Sequence, residues 1–143
     1  MMQIIGETHS VSRDLWMQTE PLNRNTIVTV PHLRLSTFSR DKNSMGRLED
    51  GVTWSWFEIV ILDSRDKSIR MDPETGNLLL WKSHHNASST VCLWYEGDLF
   101  GPEHPLWEQV KEGDVIGVCA CAQYGGINEA QAGILEIWEY AVS

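Results

Sequence analysis

The sequence predicts an all-β protein, an antiparallel β-sandwich or jelly roll of about eight strands. Apolar and polar residues alternate along several segments with a period of two, whereas helical periodicity is nearly absent. Glycine, proline, asparagine and aspartate separate these segments at short intervals, as turn residues do. The 143 residues can bury one hydrophobic core, so we predict a single domain over residues 1–143, with residues 1–20 as a less ordered N-terminal arm.

The first clearly alternating segment is "TIVTVPHLRLSTFS", in which apolar residues flank Pro31 on both sides. Because proline lacks an N–H donor, we expect this strand to carry a bulge or to lie at a sheet edge. The segment "TWSWFEIVIL", residues 53–62, has apolar side chains on both of its faces. That pattern is typical of a central strand, with Phe57, Ile59 and Ile61 in the core.

The alternation continues along the rest of the chain, with loops between the strands. Residues 40–52 are rich in polar residues and glycine and are predicted to form a loop. The stretch from Asp72 to Asn77 has proline and glycine at turn positions and divides two short strands. Three later strands are predicted: "STVCLWYEGD", "DVIGVCACAQY" and "AGILEIWEYAV". One helical turn is predicted at Leu106 to Val110, before "DVIGVCACAQY". A loop is predicted from Gly125 to Gln131, before "AGILEIWEYAV".

The charge balance argues against several classes of partner. With a net charge of −9, the chain lacks the basic surface that phosphate contacts need, so we expect neither nucleic acid nor an anionic membrane as a partner. The sequence shows no secretory signal and no apolar run of membrane-spanning length, which predicts the cytosol. There the cysteines, Cys92, Cys119 and Cys121, are expected to be buried thiols, and the glycosylation sequon at Asn86 is expected to stay unused.

The sequence contains no motif for a metal or a cofactor. His84 and His85 are neighbours in a predicted strand, so their side chains point to opposite faces and cannot both bind one ion. Neither a metal-binding HxH or HExxH spacing, nor a nucleophile elbow, nor a phosphate-binding loop occurs. We therefore predict no metal site and no cofactor.

Seven tryptophans and one acid in an apolar strand are the unusual features of the chain. A tryptophan in a strand belongs to the core more often than to a ligand platform. Glu58 is harder to place in a core, since burying an unpaired carboxylate is costly. It either reaches solvent or pairs with a cation such as Arg40, Lys82 or a histidine. If it were buried and unpaired, its pKa would rise and it could serve as a general acid.

Several segments, taken in order, resemble a family of fungal β-sandwich domains of mostly unknown function. The family pattern reads SRDQGW, SWTWFE, an NHxA-like segment, GDxIxVxAxA and GWxN. The matching residues here are Ser39-Arg40-Asp41, Trp54-Ser55-Trp56-Phe57-Glu58, His84-His85-Asn86-Ala87, the run from Gly113 to Ala122, and Gly125-Gly126-Ile127-Asn128. The chain departs from the pattern at Lys42-Asn43, which replace Gln-Gly, and at Ile127, which replaces tryptophan.

The resemblance implies a jelly-roll sandwich and extends to small cofactor-independent fungal cyclases, the hetero-Diels–Alderases of tropolone sesquiterpenoid assembly. A cycloaddition of this type needs a dry, shaped pocket and a few donors that polarise a carbonyl. The substrate-binding residues would be Trp54, Trp56, Trp94, Tyr124, Asn86 and Asn128. The catalytic residues would be Glu58, Arg40, His84 and His85.

The same residues fit a second hypothesis, a carbohydrate- or small-molecule-binding, lectin-like module without catalysis. A protein-interaction role through an exposed sheet face is a third. A closed apolar cavity around the tryptophans would favour the cyclase, whereas a shallow, wet groove would favour the binding module. We favour the cyclase by a narrow margin, with a small molecule as the partner, and the sequence leaves a homodimer open.

Overall fold

The computed structural model describes residues 1–29, 31–43 and 52–139. Two four-stranded antiparallel sheets pack against each other as a sandwich. The strands are β1 (Met2–Ile5), β2 (Ser12–Gln18), β3 (Pro31–Asp41), β4 (Val52–Leu62), β5 (Leu80–Ala87), β6 (Leu93–Glu96), β7 (Val115–Ala122) and β8 (Ile127–Glu139). Two short helices accompany them, α1 (Arg24–Val28) and α2 (Pro105–Gln109). Neither helix is long and apolar enough to span a membrane, and the described residues contain no other that could.

The strand order confirms the predicted fold. Sheet A has the order β1-β8-β3-β6, and sheet B has the order β2-β7-β4-β5. Eight strands divided between two antiparallel sheets in this way form a jelly roll. The last strand along the chain therefore lies between the first and the third, so residues far apart in sequence meet within each sheet.

Strand β4 is central in sheet B, as its apolar pattern predicts. It pairs with β5 on one side and with β7 on the other. Phe57, Ile59 and Ile61 face sheet A and are fully buried. The opposite face of β4 is also covered, because Val60 and Leu62 pack there in a second buried apolar cluster with residues of β7.

The prediction for the segment before Pro31 was wrong. Residues 24–28 form helix α1, not a strand, because the Asn23 side chain caps the helix and accepts a hydrogen bond from the Thr26 N–H at 2.9 Å. Strand β3 begins at Pro31 and lies between β8 and β6, not at an edge. Proline is tolerated as the first residue of a strand, where a missing N–H donor costs little. Val30 lies outside the described residues.

Two further boundaries differ from the sequence prediction. Residues 1–20 form β1 and β2, where the sequence had suggested an arm, because each strand pairs with a strand from late in the chain. Strand β8 begins at Ile127, within the segment predicted to be a loop up to Gln131, because residues 127–130 pair with β1. The greater part of the predicted loop at 40–52 lies outside the described residues.

The sandwich interior has an apolar half and a polar half. The apolar half contains Leu33, Leu35, Phe57, Ile59, Ile61, Phe100, Leu106, Ile116 and Val118. The polar half contains Thr37, Ser39, Asp41, Thr53, Ser55, Asn86 and Asn128, each with no exposed surface. The change in chemistry comes between Leu35 and Thr37 on β3, and between Ser55 and Phe57 on β4.

Candidate functional site

A cleft of about 350 Å³, open to solvent, lies at the end of the sandwich nearest the apolar half. We call it the Trp81 cleft. One wall is the segment that precedes β5, and the other wall is helix α2. The lining residues are Asp72, Thr75, Asn77, Leu78, Leu79, Leu80, Trp81, Pro105 and Gln109. Its volume falls in the range of small-molecule sites, which begins at about 300 Å³.

A tight hairpin holds the polar wall of the cleft. The Asp72 N–H donates to the Asn77 carbonyl at 2.7 Å, and the Gly76 N–H donates to the Asp72 carbonyl at 2.8 Å. The Asp72 carboxylate accepts from the Glu74 N–H at 2.9 Å, and Gly76 adopts a φ of 75°, which suits glycine. This confirms the predicted turn from Asp72 to Asn77 and fixes the wall on which Thr75 lies.

Arg70 ties the hairpin to the opposite side of the cleft. Its Nη1 donates to the Asp114 carboxylate and to the Gln109 carbonyl, the latter at 3.4 Å, at the end of α2. The Leu79 N–H donates to the Arg70 carbonyl at 2.8 Å, and the Ile61 N–H donates to the Leu79 carbonyl at 3.0 Å. The cleft therefore has two walls that are linked to each other and to β4.

Trp81 and His104 form the aromatic part of the site. Trp81 pairs with Ile59 in the sheet, and its half-buried ring meets the His104 ring edge-on at 5.5 Å. His104 stacks on Phe100 at 4.1 Å, and its Nδ1 accepts from the Leu106 N–H at 3.1 Å as the cap of α2. Burial lowers the pKa of His104. The imidazole is thus neutral at pH 7, with its proton on Nε2.

The predicted catalytic residue Glu58 lies elsewhere, on the outer face of sheet B. Its Oε1 accepts from Arg13 Nε at 2.7 Å, and its Oε2 accepts from Arg13 Nη2 at 3.3 Å and from Trp56 Nε1 at 3.0 Å. Burial raises the pKa of Glu58, but the hydrogen bonds from Arg13 and Trp56 outweigh it, and the pKa is lowered. Glu58 is therefore an ionised, paired carboxylate at neutral pH, and its cation is none of the three that the sequence suggested.

The two adjacent histidines point to opposite faces, as predicted. His85 lies on the outer face, where its ring is 5.7 Å from the Trp56 ring. His84 points into the polar half, with Nε2 2.7 Å from Thr37 Oγ1 and Nδ1 2.8 Å from Ser83 Oγ. Burial, with a smaller contribution from the neighbouring His85, lowers the pKa of His84 to about 4. His84 is therefore neutral at pH 7.

Asn86 and Asn128 meet in the polar half and join the two sheets. Asn86 Nδ2 donates to Asn128 Oδ1 at 2.9 Å and to Ser55 Oγ at 3.0 Å. Ser55 Oγ in turn donates to the Asp41 carboxylate at 2.7 Å. Asn86 Oδ1 has no hydrogen-bond partner within the described part of the chain. The side chain of Asn86 is fully buried, so the folded protein cannot present its sequon for glycosylation.

Arg40, the remaining predicted catalytic residue, lies at the polar end of sheet A. Its Nε pairs with the Glu129 carboxylate at 2.5 Å, and its Nη1 donates to the Thr90 carbonyl. With Lys42 and residues 88–90, it lines an open depression of about 480 Å³. Arg40 is thus separated from Glu58 by the thickness of the sandwich, since the two side chains point outward from different sheets.

The predicted aromatic walls also fall in different places. Trp54 meets Tyr124 edge-on at 4.6 Å, beside the loop between β7 and β8. Trp94 lies on the outer face of sheet A, 5.3 Å from the Phe38 ring, and is 55% exposed. Trp56 packs beside Glu58, with Lys82 Nζ 5.2 Å from its ring centre. The structure therefore brings the predicted residues together in small groups, not around one pocket.

The sequence did not point to the Trp81 cleft as a site. Its hairpin was predicted as a turn, and the helical turn was predicted close to α2, but nothing in the sequence showed that the two would face each other. A usable signal was present, because a turn rich in Asp, Thr and Asn precedes a tryptophan by only four residues. Gln109 could be added only from the three-dimensional arrangement.

No family model, no curated protein and no solved structure matches this chain. The resemblance to the fungal β-sandwich family therefore stays a prediction.

Proposed function

We propose that this protein is a carbohydrate-binding module without catalysis, which holds one sugar ring in the Trp81 cleft. The observation that carries the proposal is that one tryptophan and four residues with polar side chains line a single open cleft. The polar residues are Asp72, Thr75, Asn77 and Gln109. Apolar surface with a few placed polar groups is the usual composition of a small-molecule site.

The lining chemistry favours a neutral, hydroxyl-rich ligand. A carboxylate, two amides and a hydroxyl offer both acceptors and donors to hydroxyl groups. The Trp81 ring offers an apolar surface to the C–H face of a sugar. The described lining contains no lysine or arginine, and the protein carries a net charge of −9, so an anionic ligand is disfavoured.

The cyclase hypothesis from the resemblance stays a prediction, with less support from the geometry. It calls for a closed apolar pocket in which Trp54, Trp56 and Glu58 act together, with Glu58 protonated. The lowered pKa of Glu58 and its pairing with Arg13 disfavour a proton donor at that position. The cytosol remains the expected compartment under either hypothesis, and the three free thiols fit a reducing environment.

The first test is a titration of ¹⁵N-labelled protein with glucose, galactose, mannose, xylose and N-acetylglucosamine. We expect at least one sugar to shift the indole N–H signal of Trp81, which a Trp81→Phe variant would assign. Gln109→Ala should weaken binding by about tenfold, the loss of roughly one hydrogen bond. Glu108→Ala is the matched control on the same helix and should leave the affinity unchanged, because Glu108 is not a lining residue.

Two results would overturn the proposal. One is the absence of any shift with every sugar up to about 50 mM, a concentration above the Kd of weak ligands. The other is turnover: incubation of the protein with a metabolite extract, followed by mass spectrometry against a boiled control, would yield a new product mass if the protein were a cyclase. An unchanged sugar recovered from the protein would support the binding module.

A further inference from the structure

A second depression lies directly beside the Trp81 cleft. It has a volume of about 560 Å³, is open to solvent, and is lined by Leu99, Gly101, Pro102, Glu103 and His104. We call it the Leu99 depression. The next residue along the chain, Pro105, lines the Trp81 cleft. The two cavities therefore share a wall at the start of α2.

The shared wall is rigid, because His104 is fixed on several sides. Its ring stacks on the buried Phe100 ring at 4.1 Å and meets the Trp81 ring edge-on at 5.5 Å. Its Nδ1 is occupied by the Leu106 N–H, which leaves Nε2–H as the donor of the ring. One imidazole thus contacts the ring that lines the first cavity and itself lines the second.

The Leu99 depression has a different composition from the Trp81 cleft. Leu99 is 43% exposed there, Pro102 adds further apolar surface, and Glu103 is the one carboxylate among the described lining residues. None of its described lining residues is a lysine or an arginine. An apolar surface with one acceptor and one imidazole donor suits another uncharged ring, not an anion.

We infer, on the basis of the function proposed above, that the ligand is an oligosaccharide of at least two units. One unit occupies the Trp81 cleft and the next occupies the Leu99 depression, on the other side of His104. The adjacency of the two cavities at His104 and Pro105, and the absence of cations from both described linings, carry this inference. Each cavity is large enough for one small ring, and the shared wall allows one chain to contact both.

Gly101 allows the second cavity to be blocked without touching the first. A Cβ placed on Gly101 meets no atom within 4 Å, and its backbone is not in the left-handed region that requires glycine. Gly101→Leu should therefore fill the Leu99 depression while the fold is retained, and Gly101→Ala is the matched control for the backbone. Thermal unfolding followed by circular dichroism would show that both variants are folded.

The experiment is isothermal titration with glucose, galactose, mannose, xylose and N-acetylglucosamine and with their β-linked disaccharides. We expect the disaccharide of the preferred sugar to bind about tenfold more tightly than the monosaccharide. Gly101→Leu should abolish that gain and leave monosaccharide binding unchanged, Gly101→Ala should retain it, and Gln109→Ala should weaken both ligands.

The outcomes distinguish a failure of the two-unit inference from a failure of the proposed carbohydrate binding. Equal affinity for mono- and disaccharides, or a disaccharide gain that survives in Gly101→Leu, would overturn the two-unit inference. Monosaccharide binding that is lost in Gln109→Ala would still support the proposed function in that case. The absence of binding by every mono- and disaccharide would overturn both.

Discussion

The apolar and polar halves of the sandwich interior are built by the same strands but are held together differently. In the apolar half, side chains such as Leu35 and Ile59 gain stability by leaving water, and this gain has no preferred direction. In the polar half, the buried groups are held by particular hydrogen-bond partners, with Asn86 Oδ1 as an exception among the described residues, because an unpaired group costs about 1–3 kcal/mol. The apolar half therefore supplies stability, whereas the polar half determines how the two sheets are aligned.

The direction of the hydrogen bonds in the polar half follows from a single residue. Asn128 Nδ2 lies 2.9 Å from the Trp56 carbonyl and 3.2 Å from the Cys121 carbonyl, so it must donate to both. Its Oδ1 then accepts from Asn86, and Asn86 donates to Ser55. Reversing either amide would place two oxygens or two N–H groups face to face. Only one orientation of the two side-chain amides is therefore compatible with these hydrogen bonds.

The two halves should differ most in the unfolding free energy that is lost when one residue in each is replaced by another of nearly the same size. Asn128→Asp replaces the donating Nδ2 with an oxygen that faces two carbonyls, and should destabilise the protein by about 3–5 kcal/mol. Ile59→Val removes one methylene from the apolar half and should cost about 0.5–1.5 kcal/mol. Urea unfolding with unchanged m-values would measure both free energies. Similar losses of unfolding free energy in the two variants would contradict the conclusion that the two halves are held together differently.

The second prediction concerns acid, and it singles out His84 in the polar half. The folded protein requires neutral His84, with a pKa of about 4 instead of 6.5, so the unfolded chain binds the proton more readily. Stability should be intact above pH 6.5 and should fall as the pH drops towards 4, by about 3 kcal/mol in total.

His84→Asn provides the comparison for this pH dependence. The variant should lose part of its stability at pH 7 but show a shallower decline between pH 6.5 and 4.5. A residual decline is expected from His104, whose pKa burial also lowers. Unfolding free energies at several pH values for both proteins would measure the difference. Parallel curves would show that His84 is not the titrating group.

A smaller effect is expected from the polar pair on the outer face of sheet B, which belongs to neither half. Arg13 keeps 27% of its side chain exposed, so solvent screens its interaction with Glu58. A double-mutant cycle with Arg13→Gln and Glu58→Gln should give a coupling energy of about 1–2 kcal/mol at pH 7. Because the pKa of Glu58 is lowered, this coupling should disappear as acid protonates the carboxylate. A coupling that persists in acid would contradict the pairing.

The smallest effect is expected from a hydroxyl at the edge of the polar half. Thr53 Oγ1 donates to the Asn86 carbonyl at 2.8 Å, and Thr53→Val should cost about 1 kcal/mol, the net value of one hydrogen bond. The exposed Thr90 provides the control, since Thr90→Val should change stability by less than about 0.5 kcal/mol. Equal effects would show that the hydroxyl of Thr53 contributes nothing of its own.

The apolar half was predictable from the sequence, whereas the polar half was not. The alternation in β4 placed Phe57, Ile59 and Ile61 on one face and Glu58 on the other, and the structure agrees. The same alternation gives Ser39 and Ser55 no distinguishing mark, because a polar residue in a strand normally faces solvent. Only the pairing of both sheets shows that these hydroxyls lie between them.

The contacts at the candidate sites were also beyond the reach of sequence patterns. The cation paired with Glu58 comes from β2, which reaches β4 only across β7. The Trp81 cleft needs Asp72 and Gln109 to lie on facing walls, although two strands, β5 and β6, and a long loop separate them in sequence. Both depend on topology, which periodicity does not determine, while turn chemistry did predict the hairpin from Asp72 to Asn77.

The position of β8 has a consequence for how the chain folds. This strand, the last along the described chain, lies between β1 and β3, so Ile5 must pair with Ile127 across most of the sequence. Until residues 127–139 have been synthesised, β1 and β3 lack their common neighbour and expose unpaired edges. High contact order of this kind slows folding and prolongs the time during which a nascent chain can aggregate. Production at low temperature or with chaperones should therefore raise the yield of soluble protein more than further stabilisation of the apolar half.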